Sequence, residues 1–265
     1  MPAIPLSSAL RLIRVGLHLL SGGLQVGLLF PVAGRRWRDA LKRRWSRQLL
    51  QLLLIEIEAA DPALLGIEKG LLVANHVSFI DIFAINALLP SGFVAKSDVA
   101  GWPLIGWMSR HNDTVFIERG SRKAAHQTQQ QMLSVLASGQ RLAIFPEGTT
   151  TAGDGVLPFH GALFQGAIDA AVPVSVLAIE YIDRNGSPTA APAYIDDIDL
   201  LDCLVNIISC GGIRVRITLA ARFLPPLQDR RHLAHQAHQA VAAALRTRGS
   251  SRPPQSRRNA AAIIA

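Results

Sequence analysis

Three observations predict an α/β domain with a mostly parallel or mixed sheet flanked by helices. Short apolar runs alternate with helix-length segments through the middle of the chain, to about residue 180. The run Leu71-Leu72-Val73-Ala74 is apolar without a break, as a buried strand should be. Several runs stop abruptly in polar or charged residues, at Asn75-His76, Glu118-Arg119 and Pro146-Glu147-Gly148. In open α/β sheets such strand ends hold the ligands. An apolar fraction of 49% over 265 residues supplies a core for one such domain with additions.

Charge divides the chain in three. Residues 1–47 carry nine basic and one acidic residue, residues 48–228 eleven and seventeen, and residues 229–265 seven and one. Basic ends on a mildly acidic body suit an anionic membrane surface. A nucleic-acid binder would carry its basic patch on the folded body, so no nucleic-acid partner is expected. The two cysteines, Cys203 and Cys210, build neither a disulfide framework nor a zinc pattern and read as small buried residues.

Residues 15–33 contain no charged side chain, a length near the minimum for a bilayer span. His18, Ser21, Gly22, Gly23, Gln25 and Gly27 interrupt the segment, so spanning and dipping both stay open. Pro31 argues against a signal-peptidase site near Ala33. Seven of the next thirteen residues, Arg35 to Arg47, are basic, and Trp37 and Trp45 lie among them. Basic residues with tryptophan beside an apolar segment are what an interfacial helix requires. Residues 1–50 are therefore expected to form a membrane-associated helical pair. The charge bias places the following domain, residues 51–247, on the cytoplasmic side.

Within that domain Leu52 to Ala59 alternates as a strand does, through Leu54, Ile55, Glu56, Ile57 and Glu58, and Asp61-Pro62 marks a turn. The strand ending at Ala74 leads into a helix expected over about Ser78–Leu88, closed near Pro90. Phe93 to Lys96 is a short strand. The stretch 97–111 reads as loop and short helix, and Thr114 to Ile117 as a strand. An amphipathic helix is expected over 121–138 with Gly139 as its cap. Arg141 to Phe145 is a strand, Gly161 to Ala171 a helix and Val174 to Ile179 a strand. Beyond Glu180 only a strand from Ile213 and a helix over Asp229–Arg246 stand out. Asp196, Asp197, Asp199 and Asp202 form an acidic patch without metal spacing. His232, His235 and His238 spread over too wide an arc of the last helix for one metal site and read as a solvated face. Residues 248–265 are expected to be a disordered tail.

The turn after Ala74 carries the chemistry. With Ser78 as helix cap, Asp81 falls three residues into the helix and its carboxylate can fold back toward His76. A carboxylate on one ring nitrogen fixes the tautomer and frees the other nitrogen to take a proton. The same spacing is also an ordinary capping box.

Four short stretches together resemble a known family. Asn75-His76-Val77-Ser78-Phe79-Ile80-Asp81 resembles the N-H-x-x-x-x-D motif of the glycerolipid acyltransferases related to lysophosphatidic acid acyltransferase. Phe116-Ile117-Glu118-Arg119 resembles their second motif, Phe145-Pro146-Glu147-Gly148-Thr149-Thr150 the third, and Val172-Pro173-Val174 the fourth. Lys96 with Gly101-Trp102-Pro103 resembles the block between the first two. The motifs occur in order and cover about residues 70–180.

The resemblance implies acyl transfer from an acyl thioester, on acyl carrier protein or coenzyme A, to the free hydroxyl of a membrane lysolipid. It implies His76 as general base and Asp81 as the residue that orients it. Arg119, Lys96, Gly148 and Thr149 would bind the acceptor, Glu147 would brace the third motif or contact the acceptor, and Pro173 would shape the apolar site. Neither a metal nor a further cofactor is implied. Many phosphatidate-forming members have arginine after the third motif, where this chain has Thr150. Lysophosphatidic acid is thus the first expected acceptor and lyso-ornithine lipid the alternative. A membrane thioesterase or hydrolase, and a non-catalytic lipid-binding module, are the rival classes. The expected location is the cytoplasmic face of the inner membrane.

Overall fold

The computed structural model describes residues 6–117, 122–195 and 198–249. Helix α1 (Leu6–Leu24) continues through one π-helical turn (Gln25–Leu29) and is followed by α2 (Arg35–Leu52). Then come β1 (Ile55–Ala59), a 3-10 turn (Pro62–Gly66), β2 (Gly70–Ala74), α3 (Ile80–Leu88) and β3 (Gly92–Lys96). Two short helices, α4 (Ser97–Ala100) and α5 (Ile105–Arg110), precede β4 (Val115–Ile117) and α6 (Arg122–Ala137). The chain closes with β5 (Arg141–Ile144), a 3-10 turn (Gly161–Phe164) running into α7 (Gln165–Asp169), β6 (Val174–Asp183), α8 (Leu200–Ser209), β7 (Ile213–Phe223) and α9 (Arg230–Gly249).

The strands form one sheet in the order β1-β7-β6-β2-β5-β3-β4. Strands β6, β2, β5, β3 and β4 are mutually parallel, while β7 is antiparallel to β6 and β1 is parallel to β7. The sheet is thus mixed. The passage through α8 returns the chain to the end of the sheet where β6 stopped, since Asp183 lies opposite Ile213. From there β7 can only run back along β6.

Strand β2 is fully buried and its side chains alternate between two helix layers. Leu72 and Ala74 pack with Leu49, Ile80, Ile85 and Ile207, from α2, α3 and α8. Leu71 and Val73 pack with Met132, Leu136, Leu233 and Val241, from α6 and α9. Two covered faces explain why this strand reads as an unbroken apolar run.

One side of α1 enters the core of the domain. Val15 is buried with Trp45 and Leu49, and Leu12 and Leu19 pack against them. The His18 ring stacks on Trp45 at 4.7 Å, and the Trp45 indole N–H donates to the His18 carbonyl at 3.0 Å. Gly22 permits this approach, because a Cβ there would stand 2.8 Å from the Trp45 ring. One of the glycines that interrupt the apolar segment is thus a packing point. Leu10, Ile13, Leu17, Leu20, Leu24 and Leu28 are left on the other side, each more than half exposed.

Several expectations are corrected. Helix α8 lies beyond Glu180, in a stretch where no helix was expected. The first strand begins at Ile55, because α2 continues to Leu52. Strand β6 runs to Asp183, four residues past Ile179, held there by its long antiparallel pairing with β7. Cys203 is buried, but Cys210 only partly so. Helix α9 reaches Gly249, so residues 248 and 249 leave the expected tail; residues 250–265 lie outside the described residues, as do Asp196 and Asp197.

Candidate active site

Parallel strands bring their carboxyl ends to one edge. His76 follows β2, Pro146-Glu147 follows β5 and Lys96 closes β3. The chain leaves β4 at the same edge toward Arg119, which lies outside the described residues.

The turn after β2 is built around Asp81. Its Oδ2 accepts the Val77 N–H at 2.8 Å and the Ser78 N–H at 3.0 Å, and lies 2.8 Å from His76 Nδ1. Its Oδ1 accepts the Tyr181 hydroxyl at 2.6 Å. The carboxylate folds back as the spacing predicts, but the helix begins later than expected. Helix α3 starts at Ile80, so Asp81 is its second residue and Ser78 is not the cap residue. The Ser78 hydroxyl takes only the Ile80 N–H, at 3.3 Å. Asp81 has replaced it as the group that ties the turn, because a carboxylate holds several donors at once.

A buried carboxylate is an acceptor, so the His76 proton sits on Nδ1 and the Nε2 lone pair faces outward. The His76 side chain is 20% exposed, and among the described residues nothing bonds Nε2. One face of the ring is covered by Phe145, stacked at 4.0 Å and 11°. The arrangement can accept a proton at Nε2 and stabilise the resulting imidazolium through Asp81.

The segment after β5 grips the backbone of His76 from both sides. Glu147 Oε1 accepts the His76 N–H at 2.7 Å and Oε2 accepts the Leu157 N–H at 2.7 Å. Thr151 donates its N–H to the His76 carbonyl at 2.9 Å. Both Glu147 oxygens are thus spent on backbone N–H groups. Burial raises its pKa, against the lowering effect of the two backbone donors. Gly148 adopts φ +72°, which a side chain would strain. Thr149 is exposed beside it. The Thr150 hydroxyl donates to the Tyr194 carbonyl.

The structure thus joins His76, Asp81 and Glu147 and sets Gly148 and Thr149 next to them. Lys96 is exposed at its strand end, two strands from β2. Pro173 is corrected outright. Its carbonyl accepts the Leu71 N–H at 2.9 Å, which puts it at the amino end of the parallel strands, a strand length from His76. Asn75 holds β2 to β6 through its amide. Tyr181 escaped the sequence reading because its role depends on how far β6 extends. A groove of about 1150 Å³ lined by Val77, Gly153, Glu180 and Arg216 opens behind the turn, but His76 does not line it.

Among the described residues no three His, Cys, Asp or Glu side chains converge on one point. The helix α9 histidines diverge: His235 bonds Gln239, whereas His238 turns inward to the Val156 carbonyl and the Phe159 ring.

Comparison with known proteins gives the family. Residues 57–180 match the family model described as Acyltransferase. A lyso-ornithine lipid O-acyltransferase of Pseudomonas aeruginosa is 40% identical over 223 residues, 84% of each chain. The chain belongs to the acyltransferase family. A second family member, a 1-acyl-sn-glycerol-3-phosphate acyltransferase of Neisseria meningitidis, is 41% identical over 172 residues, covering 65% of this chain and 67% of its own. The crystal structure of the 1-acyl-sn-glycerophosphate acyltransferase PlsC from Thermotoga maritima superposes with a TM-score of 0.63. That match covers 92% of this acyltransferase and all of the other chain at 18% identity, and it shows the shared fold.

Proposed function

We propose that this acyltransferase moves an acyl group from an acyl carrier protein or coenzyme A thioester to the free hydroxyl of a lysolipid. The observation that carries the reading is the 2.8 Å contact between His76 Nδ1 and buried Asp81, which leaves Nε2 outward. Nε2 takes the proton of the acceptor hydroxyl as its oxygen attacks the thioester carbonyl. When the tetrahedral intermediate collapses, the C–S bond breaks and the imidazolium returns the proton to the leaving thiolate. Asp81 holds the tautomer and offsets the imidazolium charge, as in a triad whose serine is supplied by the acceptor. Arg119, Lys96, Gly148 and Thr149 hold the acceptor head group, and Glu147 keeps the His76 backbone in place.

The acceptor proposed first is lysophosphatidic acid, giving phosphatidic acid. Lyso-ornithine lipid is the second reading, favoured by Thr150, whose hydroxyl is committed to the Tyr194 carbonyl. The Pseudomonas relative of that name also matches a longer stretch than the Neisseria one.

Residues 1–50 are the membrane-facing unit and residues 51–247 the catalytic one. Ser8–Leu29 is long and apolar enough to cross a bilayer, with a mean hydropathy of 1.4. However, its inner side is committed to Trp45 of α2, a helix that carries Lys42, Arg43, Arg44 and Arg47. A spanning α1 would drag those charges into hydrocarbon, at about 2.5 kcal/mol or more each. Instead α1 lies in the membrane plane with its leucine side in lipid, on the cytoplasmic face of the inner membrane.

The test is acylation in vesicles, with lysophosphatidic acid and lyso-ornithine lipid as separate acceptors and both thioesters as donors. Acceptor-dependent thioester consumption, abolished in His76→Ala, is expected. Turnover without any acceptor would instead indicate a hydrolase, and failure with both acceptors in folded protein would overturn the assignment.

A further inference from the structure

Asp81 is fully buried and both of its oxygens are occupied. Oδ2 serves its own turn and His76, whereas Oδ1 receives a single donor from another part of the chain, the Tyr181 hydroxyl at 2.6 Å. We infer that Tyr181 is a positioning residue that sets the basicity of His76 by holding, and drawing charge from, the far oxygen of Asp81. The inference rests on the reading of His76 as the base.

Three observations support it. First, β2 stops at Ala74 opposite Leu177, while β6 continues. The alternation of β6 keeps Leu177, Ile179 and Tyr181 on the α3 side of the sheet. Tyr181 is therefore the β6 residue that reaches past the end of β2 to the turn. Second, its phenol remains a donor throughout the working range. Burial and the neighbouring Asp81 charge push its ionisation well above the ordinary value of 10. Cys203, the other ionisable group beside it, is also buried, which raises its thiol to about 11 and leaves it neutral. Third, a carboxylate shares its charge among its donors. Removing the donor on Oδ1 leaves more charge for the His76 imidazolium and frees the carboxylate to rotate. The imidazolium is then stabilised and the neutral base appears only at higher pH. Among the described residues, the ionisable groups bonded to His76 are Asp81 on α3 and Glu147 after β5, and the His160 ring lies against Gly148 beside Glu147; of these Tyr181 bonds only Asp81.

The experiment is a graded donor series. The chain has two tyrosines, so in a Tyr194→Phe background uniform 3-fluorotyrosine labelling alters Tyr181 alone. The fluorinated phenol is more acidic and a stronger donor, and Tyr181→Phe is no donor. His76 is titrated by NMR with ring-labelled histidine, assigned by its loss in His76→Ala, and the acidic limb of kcat/KM is measured alongside. Tyr181→Phe is expected to raise the His76 pKa and the limb by about 0.5–1 pH unit. Fluorotyrosine is expected to lower both, with kcat on the alkaline plateau changing less than about tenfold. A purely structural role predicts no ordered shift. Agreement of the three proteins within about 0.1 unit, or the reverse order, overturns the inference. If Tyr181→Phe fails to fold, the fluorinated protein, which keeps its hydroxyl, carries the test. If His76→Ala stays active, the base reading fails, while the NMR titration still reports whether Tyr181 controls His76.

Discussion

The side chain of Asn75 pairs with the backbone of Ile179 as a strand would. Its Nδ2 donates to the Ile179 carbonyl at 3.0 Å and its Oδ1 accepts the Ile179 N–H at 2.8 Å. The sheet is thereby carried one residue past the end of β2, to the point where His76 leaves it. Asn75→Ala would leave both buried backbone groups without partners, at a cost of about 2–4 kcal/mol. Urea unfolding is expected to show a lower midpoint with an unchanged slope.

Glu147 gives a pH signature. Its folded pKa is raised above the ordinary 4.5 by burial. The folded state therefore holds the proton more tightly than the unfolded state. This contribution to stability is complete below the unfolded pKa and is lost as pH rises through the folded value. Relative to Glu147→Gln, which does not titrate, wild type should lose stability as pH rises above 4.5. Chemical denaturation across that range measures it, and wild type gaining stability relative to Glu147→Gln as pH rises would contradict the assignment.

Gly148→Ala places a Cβ at φ +72°, 3.4 Å from the His160 ring. The space is tolerable but the backbone is not, with a cost of about 1–2 kcal/mol. Thermal unfolding should register the loss, and KM for the acceptor should rise more than kcat falls.

Acceptor choice is testable at Thr150. Thr150→Arg removes the hydroxyl that bonds Tyr194 and adds a cation next to Thr149. The ratio of kcat/KM for lysophosphatidic acid over lyso-ornithine lipid should rise about three- to tenfold. A ratio unchanged or reversed would show that this position does not face the head group.

Membrane attachment should reside in the exposed side of α1. Replacing Leu17, Leu24 and Leu28 by serine removes three apolar side chains that contribute roughly 1.5–3 kcal/mol each when fully buried in lipid. Vesicle sedimentation should show binding at least about a hundredfold weaker, while the melting temperature stays close to wild type because these residues are outside the core.

Much of the site was legible because its key pair is local: His76 and Asp81 are five residues apart within one turn. Glu147 was legible as a site candidate, but its two backbone contacts were not, since they join His76 and Leu157 across the fold. Tyr181 was not legible, since its meaning depends on β6 outrunning β2. The missed helix α8 did leave a signal. Asp199 caps it by accepting the Asp202 N–H at 2.8 Å, and Cys203, Ile207 and Ile208 follow at helical spacing. The same aspartates read as an acidic patch when counted by charge alone. Pro173 was misplaced because a proline at a strand start does not say which end of the sheet that start occupies.

With His76 as the proposed base, the grip on it ties activity to the order in which the chain assembles. The imidazole–carboxylate pair closes over five residues, but the bonds that hold its backbone come from Glu147 and Thr151, more than seventy residues away, and the bond on Asp81 from Tyr181, a hundred residues away. Loops of that span close only when the intervening strands have found their register. A refolding chain would therefore recover helix signal before turnover. Regained turnover marks completion of the whole sheet and not of the motif alone.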